Sequence, residues 1–415
     1  RRALTPIAGT LIAIVTCGAA ATEALAQDDS RVLNNQLQLG DVISGVTLNV
    51  ESTTEQVTVS NAATGNSVSG VVEGGSVDFR NIQHMNGNVR AVTTPSPGGG
   101  EIGGVVNATT QANGNYTAAG AYGGQMVIDS DQRVGPTEIE ASTSITGGTV
   151  RLMNGAYVNA AANGNVMALG GESTHVAGAV HQLNEASVRA SNLAETRYIP
   201  AEAVFQSQAI GNATASNGTG ASSMNLYVGQ RSTGDVIVAD TSANAGNAWD
   251  LSGRASATAN QAVLANAGGS VVARTQQENF SQVQSTSVVT SYDYGAARSY
   301  AQGAGNAVSV GNNDLYLQLD NDQINSGGVE VRASFAGTNG YDAYVSAEAV
   351  GNSVTGYACA QCQGTMDITN RQVNDGAVSA TAQTTVNGQG RAVIVGSNAV
   401  GNAATFYVSR PNGGN

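Results

Sequence analysis

The chain repeats itself with a period of about 48 residues, and this period constrains the fold more than any other feature of the sequence. The dipeptide Gly-Asn, replaced once by Ala-Asn, marks each copy, and successive markers lie 46 to 50 residues apart. A glutamine follows all markers but the last by 18 to 21 residues, so a second residue type keeps the same period. Such periods are typical of solenoids, propellers and other arrays, which predicts one elongated body instead of several globular domains.

The marker asparagines and the glutamines are the candidate site residues, because each one has an equivalent in every neighbouring copy. They are Asn66, Asn115, Asn165, Asn212, Asn260, Asn306, Asn352, Asn402, Gln83, Gln132, Gln182, Gln230, Gln277, Gln323 and Gln372. Amide side chains stacked one strand spacing apart can form hydrogen-bonded ladders that satisfy buried polar groups. This favours a structural role over ligand contact, and asparagine also tolerates the left-handed conformation that a corner requires.

Within each copy the polarity alternates with period two, which indicates β-strands. The residue two positions before the marker glycine or alanine is small in every copy: Ala63, Ala112, Ala162, Ala209, Ala257, Gly303, Ala349 and Ala399. We interpret this position as the inward face of a strand in a narrow core. A second strand is predicted after each marker, and a third begins six or seven residues beyond each glutamine, as at Val89 and Val329.

The predicted fold is therefore an all-β, elongated β-solenoid of about seven and a half repeats. Val, Thr, Ser, Asn and Gly form helices poorly, and no stretch beyond the amino terminus sustains a helical apolar stripe. A β-propeller is the alternative, but propeller blades carry bulky aromatics where this repeat carries alanine. The spacing leaves open whether a repeat forms one wide coil or two coils of about 24 residues.

Charge limits the classes of partner. The chain has no lysine, and its 17 arginines against 30 acidic residues give a net charge of −13. Because binding to phosphates requires clustered cations, this balance argues against nucleic acid and anionic lipid as partners. A neutral or cationic polymer is a better match.

The amino terminus predicts export. Residues 1–26 combine Arg1 and Arg2, an apolar run and an Ala-Leu-Ala cleavage site, which is typical of a secretory signal peptide. An acylated Cys17 is the alternative. Residues 27–56 are predicted to form an amino-terminal cap and a half repeat, residues 57–409 the repeat solenoid, and residues 410–415 a tail.

The sequence contains few groups suited to chemistry. Cys359 and Cys362 lie in a loop insertion, and export predicts a local disulfide between them. The histidines at 84, 175 and 181 lack a metal-binding pattern and are predicted in solvated loops, and Asp320 and Asp322 lack the pattern of a calcium loop. We expect no metal, no cofactor and no catalytic site.

Tyrosine is the commonest aromatic residue, and several tyrosines lie near the markers. These are Tyr116, Tyr157, Tyr227, Tyr300, Tyr344, Tyr357 and Tyr407. Their amphipathic rings suit sugars and protein interfaces, and packing at coil edges is the alternative.

The repeated Gly-Asn, the small residue before it and the glutamine at a fixed distance are similar to the curlin repeats of bacterial surface fibres, although this unit is about twice as long and less regular. Together with the secretion signal and a composition rich in Gly and Ala with Arg but no Lys, the whole chain resembles the holdfast anchor proteins of stalked alphaproteobacteria, and among them the D member. That resemblance implies an outer-surface protein that anchors an adhesive polysaccharide together with a curlin-like subunit and an outer-membrane secretion pore.

Three functions follow as hypotheses. The first is a non-enzymatic exported protein that anchors an adhesive polysaccharide to the outer membrane. The second is a self-assembling extracellular fibre subunit or adhesin, which would make the chain a homo-oligomer. The third is an enzyme that modifies polysaccharide on a β-helix, for which no paired carboxylates can be assembled from the sequence.

Overall fold

A computed structural model describes residues 29–50, 52–97, 100–314, 316–358 and 364–408. The predicted signal peptide with Cys17, the pair Cys359 and Cys362, and the tail lie outside these residues. The described chain consists of twenty β-strands and no helix. The strands are β1 (Asp29–Gln38), β2 (Val42–Val50), β3 (Val57–Glu73), β4 (Ser76–Met85), β5 (Val89–Pro97), β6 (Glu101–Ile102), β7 (Val106–Val134), β8 (Glu138–Ile145), β9 (Arg151–Leu152), β10 (Ala156–Asn184), β11 (Ser187–Thr219), β12 (Ser223–Ser232), β13 (Val236–Asn266), β14 (Ser270–Asn279), β15 (Gln282–Asn312), β16 (Tyr316–Asn325), β17 (Val329–Ala358), β18 (Thr365–Asn374), β19 (Val378–Val386) and β20 (Ala392–Val408).

The strands stack into a β-solenoid, which confirms the predicted fold. Each strand pairs in parallel with strands one repeat earlier or later, as where Asn66 lies beside Asn115 and Asn260 beside Asn306. Since the paired residues are a whole repeat apart, each repeat forms one wide coil. The sequence had left open the choice between one coil and two.

Three stacks of strands surround the core. The Asn face contains β3, β20 and the strand segments that carry the Gly-Asn or Ala-Asn markers; the Gln face contains β1, β4, β12, β14, β16, β18 and the glutamine-bearing ends of β7 and β10. The third face begins with β2, β5 and β8 and ends with β19. The third strand of each copy begins at or next to the predicted residue, for example Val89 in β5 and Val329 in β17.

The small residues before the markers point inward. Ala112, Ala162 and Ala209 are completely buried, and each pairs with its equivalent in the next coil. Short side chains allow the opposite walls of the coil to approach closely at this level. Ala399, in the last described coil, is exposed because no described strand covers it.

The corners of the coil are formed by glycine, and the expected role of asparagine there is wrong. Backbones with positive φ recur nine or ten residues after successive markers at Gly74, Gly123, Ser173, Gly220 and Gly269. Among the described residues Ser173 is the only non-glycine with positive φ, so the marker asparagines lie in extended backbone. Glycine takes this conformation without the steric cost of a Cβ atom.

The three histidines also depart from the prediction. His84 lies in β4, and His175 and His181 lie in β10, so all three belong to strands instead of loops. Their side chains are exposed or half-buried.

Candidate functional site

The marker asparagines form a continuous ladder along the interior of the Asn face. In each step the Nδ2 of one asparagine donates to the Oδ1 of the next at 2.8 Å. The ladder runs without interruption from Asn66 to Asn402. From Asn115 to Asn352 its members are completely buried. Hydrogen bonds between these amides therefore replace the hydrogen bonds to water that burial removes.

The glutamines form a second ladder, and it points the other way. Gln83 donates to Gln36 at 2.8 Å, and every later glutamine donates to the preceding one at 2.7 to 2.9 Å, ending with Gln372. Asparagine donors thus point toward the carboxyl-terminal coil and glutamine donors toward the amino-terminal coil. The two rows of amide dipoles are antiparallel, which limits any net dipole along the stack.

The two ladders are joined through the backbone. Each asparagine from Asn66 to Asn352 uses its second N–H to reach the carbonyl just after the glutamine of its own coil, as from Asn165 to Leu183 at 2.9 Å. Each glutamine reaches the carbonyl just after the asparagine of the following coil, as from Gln182 to Ala213 at 3.0 Å. Alternating hydrogen bonds therefore connect the Asn face and the Gln face along the stack.

The two amide ladders, which together we call the amide waist, divide the core into two apolar lobes. The smaller lobe lies between each asparagine and the next glutamine and contains Phe79, Met126 and Leu226. The larger lobe lies between each glutamine and the next asparagine and contains Phe205 and Phe335. The alternation of polar and apolar layers fixes the register, because a slip by one residue would turn the amides outward.

Other buried amides flank the glutamines, and the sequence reasoning did not single them out. Two residues after the glutamine, Asn279 donates to Asn325 at 2.7 Å, and Asn325 donates to Asn374 at 2.6 Å. Two residues before it, Asn321 donates to Asn370 at 2.8 Å. The signal was weak because apolar residues interrupt both positions: Met85 and Val134 stand two residues after their glutamines, and Val180 and Val228 stand two residues before theirs.

In the markers that contain glycine, the missing Cβ atom allows close approach between coils. A Cβ atom on Gly164 would lie 2.3 Å from the carbonyl oxygen of Gly211, and on Gly114 it would lie 2.7 Å from that of Gly164. Real Cβ atoms do not approach backbone this closely. The glycine therefore serves packing between coils and not a left-handed turn.

The outer surface carries ion pairs between arginines and acids on adjacent coils. Arg90 lies 2.8 Å from Glu140, and Arg371 lies 2.8 Å from Asp322. Asp320, the other carboxylate of the weighed calcium pattern, lies 3.7 Å from Arg274. Within the described ranges no cluster of three His, Cys, Asp or Glu side chains could hold a metal ion.

One part of the surface brings together aromatic and charged residues that are far apart in sequence. At the corner between the third face and the Asn face, one column contains Arg197, Gly246 and Tyr292, in register through the neighbouring pairs. The adjacent column contains Trp249, Gly295, Tyr341 and Arg391, and the Arg391 N–H donates to the Tyr341 carbonyl. Between these columns run Tyr198, Asn247, Asp293 and Asn339. We call these residues, together with Arg151 beside Tyr198, the aromatic–arginine strip.

Glycines shape this strip by leaving gaps between the rings. A Cβ atom on Gly295 would lie 2.9 Å from Cε3 of Trp249, so only glycine lets the indole lie across that coil. The indole then meets Tyr341 edge to face, with ring centres 6.1 Å apart. Where Gly246 takes the place of a ring, a groove of about 450 Å³ opens, lined by Arg151, Arg197, Tyr198, Gly246, Asn247 and Tyr292.

Charge partners hold part of the strip in place. Asp342 accepts hydrogen bonds from Arg391, and the Arg391 guanidinium lies 5.5 Å from the centre of the Tyr341 ring. The hydrogen bonds and the positive charge of Arg391 lower the pKa of Asp342, and the same hydrogen bonds with the negative charge of Asp342 raise the pKa of Arg391. Arg197, by contrast, makes no ion pair with any residue that the structure describes.

The strip extends over six coils, and four successive coils among them present the rings of Tyr198, Trp249, Tyr292 and Tyr341 to solvent. Trp249 and Tyr292 are each 61% exposed and Tyr341 is 51% exposed. Six coils span about 24 Å at the spacing of neighbouring strands. Exposed aromatic rings beside amide and guanidinium donors can stack on an apolar ring face while hydrogen bonding to hydroxyl groups.

The sequence analysis did not single out the four aromatic residues of the strip. It singled out tyrosines near the markers, and two of those, Tyr357 and Tyr407, stack on each other with ring centres 5.9 Å apart. Tyr198, Trp249, Tyr292 and Tyr341 follow their glutamines at varying distances, because the corner differs in length between coils. Only the strand register shows that they share one surface.

The chain is a β-solenoid whose interior contains two amide ladders and whose outer corner displays exposed aromatic and arginine side chains. Residues 51–328 match the family described as holdfast attachment protein D, and the chain belongs to that family. This membership implies a role in holdfast attachment and a location at the cell envelope or surface. The other two comparisons found no matching curated protein and no matching solved structure. In the described ranges no helix is long and apolar enough to cross a membrane.

Proposed function

We propose that the protein anchors an adhesive polysaccharide to the outer membrane as a rigid, non-enzymatic β-solenoid. The observation that carries this proposal is the aromatic–arginine strip on a member of a holdfast attachment family. A long polymer that must bear load needs several contacts on a support that does not deform, since rigid presentation lowers the entropic cost of binding. The laced amide waist supplies that support.

The chemistry of the strip favours a neutral polysaccharide, and the net charge of the chain also admits a cationic one. Trp249, Tyr292 and Tyr341 offer ring faces, while Arg197 and Asn247 offer hydrogen-bond donors in the groove between them. The net charge of −13 disfavours a strongly anionic polymer over most of the surface. Several weak contacts along one chain then add through effective concentration.

The protein partners are proposed from the family resemblance, and the signal peptide and the disulfide from the sequence patterns described above. A signal peptide at residues 1–26 would direct export, a local disulfide would join Cys359 and Cys362, and a curlin-like subunit and an outer-membrane secretion pore would be the protein partners. The polysaccharide itself would bind along the strip and undergo no chemical change.

The test compares two variants in cells that make the adhesive. The triple change Trp249→Ala, Tyr292→Ala and Tyr341→Ala should cause the adhesive to be shed while the purified protein keeps its melting temperature, because all three side chains are largely exposed. The control is Tyr122→Ala, since Tyr122 is similarly exposed but lies at the tip of the smaller lobe. Normal retention of adhesive by the triple variant would contradict the proposed binding surface.

A further inference from the structure

Both ends of the described stack have unpaired strand edges. At the amino-terminal end, β1, β2 and β3 pair only with strands of the following coil; at the carboxyl-terminal end, β18, β19 and β20 pair only with strands of the preceding coil. Open edges of this kind present rows of backbone donors and acceptors that readily accept another strand.

The two ends have the same dimensions. The strands β1, β2 and β3 are 10, 9 and 17 residues long, and β18, β19 and β20 are also 10, 9 and 17 residues long. In addition, Gln36 precedes Asn66 by as many residues as Gln372 precedes Asn402. One end therefore overlays the other, strand for strand.

The amide ladders end in complementary groups. At the amino-terminal end Asn66 Oδ1 accepts no hydrogen bond from the described residues, and Gln36 Nε2 has one N–H left after bonding to Ser67. At the carboxyl-terminal end Asn402 Nδ2 donates to no described residue, and Gln372 Oε1 accepts from none. An unused donor at one end faces an unused acceptor at the other, because the two ladders run in opposite directions.

The remaining side chains also match. In the register set by the ladders, Val57 and Val59 would cover Val393 and Val395, and these two carboxyl-terminal valines are 48% and 45% exposed. On the outer surface Arg31 would lie beside Asp367, so the charges at this contact are opposite. Covering the exposed valines removes apolar surface from water, which drives association.

We propose that this protein stacks head to tail, with the amino-terminal end of one copy seated on the carboxyl-terminal end of a second copy. β1, β2 and β3 then extend the sheets of β18, β19 and β20, and both amide ladders continue across the junction. The contact is heterologous, so it repeats at every free end and produces a filament instead of a closed dimer. The aromatic–arginine strip lies on the lateral surface, and only its last residue, Arg391, belongs to the coil at the junction.

The test blocks each end separately in the full-length chain. Ala382→Lys places a charge on the inward face of β19, and Val46→Lys does so on β2; outward neighbours supply the matched controls Thr381→Lys and Thr47→Lys. The wild type and both controls should form longer species as concentration rises in sedimentation velocity. Each end-blocked variant alone should remain a monomer.

The decisive measurement is a mixture of the two blocked variants. Each retains one free end, so an equimolar mixture should form a particle of twice the monomer mass and then stop growing. A wild type that stays monomeric at every concentration would overturn the proposal and would indicate that the ends are covered by other parts of the chain. Growth of either blocked variant alone would also overturn it, since association would then use another surface. Equal melting temperatures for the blocked and control variants exclude unfolding as the cause.

If the melting temperatures differ, the charge-swapped variants Asp367→Arg and Arg31→Asp replace the blocked pair. Each of these variants alone should stack more weakly than the wild type, and a mixture of the two should restore stacking.

Discussion

At the scale of single residues, one asparagine per coil performs two tasks with one amide group. Asn212 accepts from Asn165, donates to Asn260 and donates again to the carbonyl of Arg231. An apolar side chain of equal size would fill the same space but leave these partners buried and unbonded. The cost of a buried unsatisfied polar group exceeds the net worth of the bond itself.

Asn212→Leu should lower the free energy of unfolding by about 2–4 kcal/mol, because several buried groups lose partners at once. Asn402→Leu is the matched control, since it lies in the last described coil and has only Asn352 as a ladder partner. Its cost should stay below about 1 kcal/mol. Urea unfolding followed by circular dichroism measures both values, and equal costs would show that the ladder does not stabilise the stack.

A pH dependence also belongs to this scale. The hydrogen bonds and charge of Arg391 lower the pKa of Asp342 below its ordinary value. A carboxyl with a lowered pKa in the folded state contributes stability above its unfolded pKa and loses it as the pH falls through the folded pKa. The gap in melting temperature between wild type and Asp342→Asn should therefore be constant near neutral pH and close under acid conditions. A gap that does not change with pH would contradict this assignment.

At the scale of the strand and its corner, turn geometry decides which residue fits. The corner at the tip of the smaller lobe uses glycine in four coils with positive φ, but the third complete coil has Ser173 there, with φ of 52°. A non-glycine residue in this region is strained by its Cβ atom.

Ser173→Gly should raise the free energy of unfolding by about 1 kcal/mol, because it removes this strain. The control is Ser309→Gly on the outer face of β15, where the backbone is extended and glycine should instead cost about 0.5–1 kcal/mol. Thermal unfolding of both variants tests the pair. A loss of stability at position 173 would mean that the serine side chain contributes more than its backbone costs.

At the scale of the whole molecule, each coil contacts only its neighbours, so the stack behaves as a one-dimensional array. Register between coils is set by the two ladders and by the alternation of apolar lobes and amide waist. Whole coils should therefore be removable, whereas fractions of a coil should not.

Deleting residues 260–305 removes one complete repeat and brings Asn212 into register with Asn306, since Asn260 and Asn306 occupy equivalent positions. This shortened protein should fold with a single cooperative transition. Deleting residues 260–282 removes about half a repeat and should prevent folding of the carboxyl-terminal coils, because the asparagine and glutamine faces no longer align. Circular dichroism and limited proteolysis distinguish the two outcomes, and equal folding of both deletions would refute the ladder register.

Much of the fold could be predicted from the repeat alone. The period follows from the recurrence of the markers. The inward alanines and the start of the third strand at residues such as Val89 follow from the alternation of polar and apolar residues, which is repeated in every copy. The loop position assigned to His175 and the left-handed corner assigned to the marker asparagines were wrong, because strand continuity and turn geometry depend on neighbouring coils. The flanking amide ladder at Asn279 and Asn325 was missed since apolar residues replace it in the first coils.

The sequence by itself determined that small and amide side chains recur at fixed intervals and so must face one another when copies stack. Only the tertiary structure decided that each copy makes one coil, that the two ladders run in opposite directions, and that Trp249, Tyr292 and Tyr341 share a surface. The physical reason is that parallel strand pairing brings together residues almost 50 positions apart. No local sequence pattern indicates which outward side chains become neighbours through this pairing.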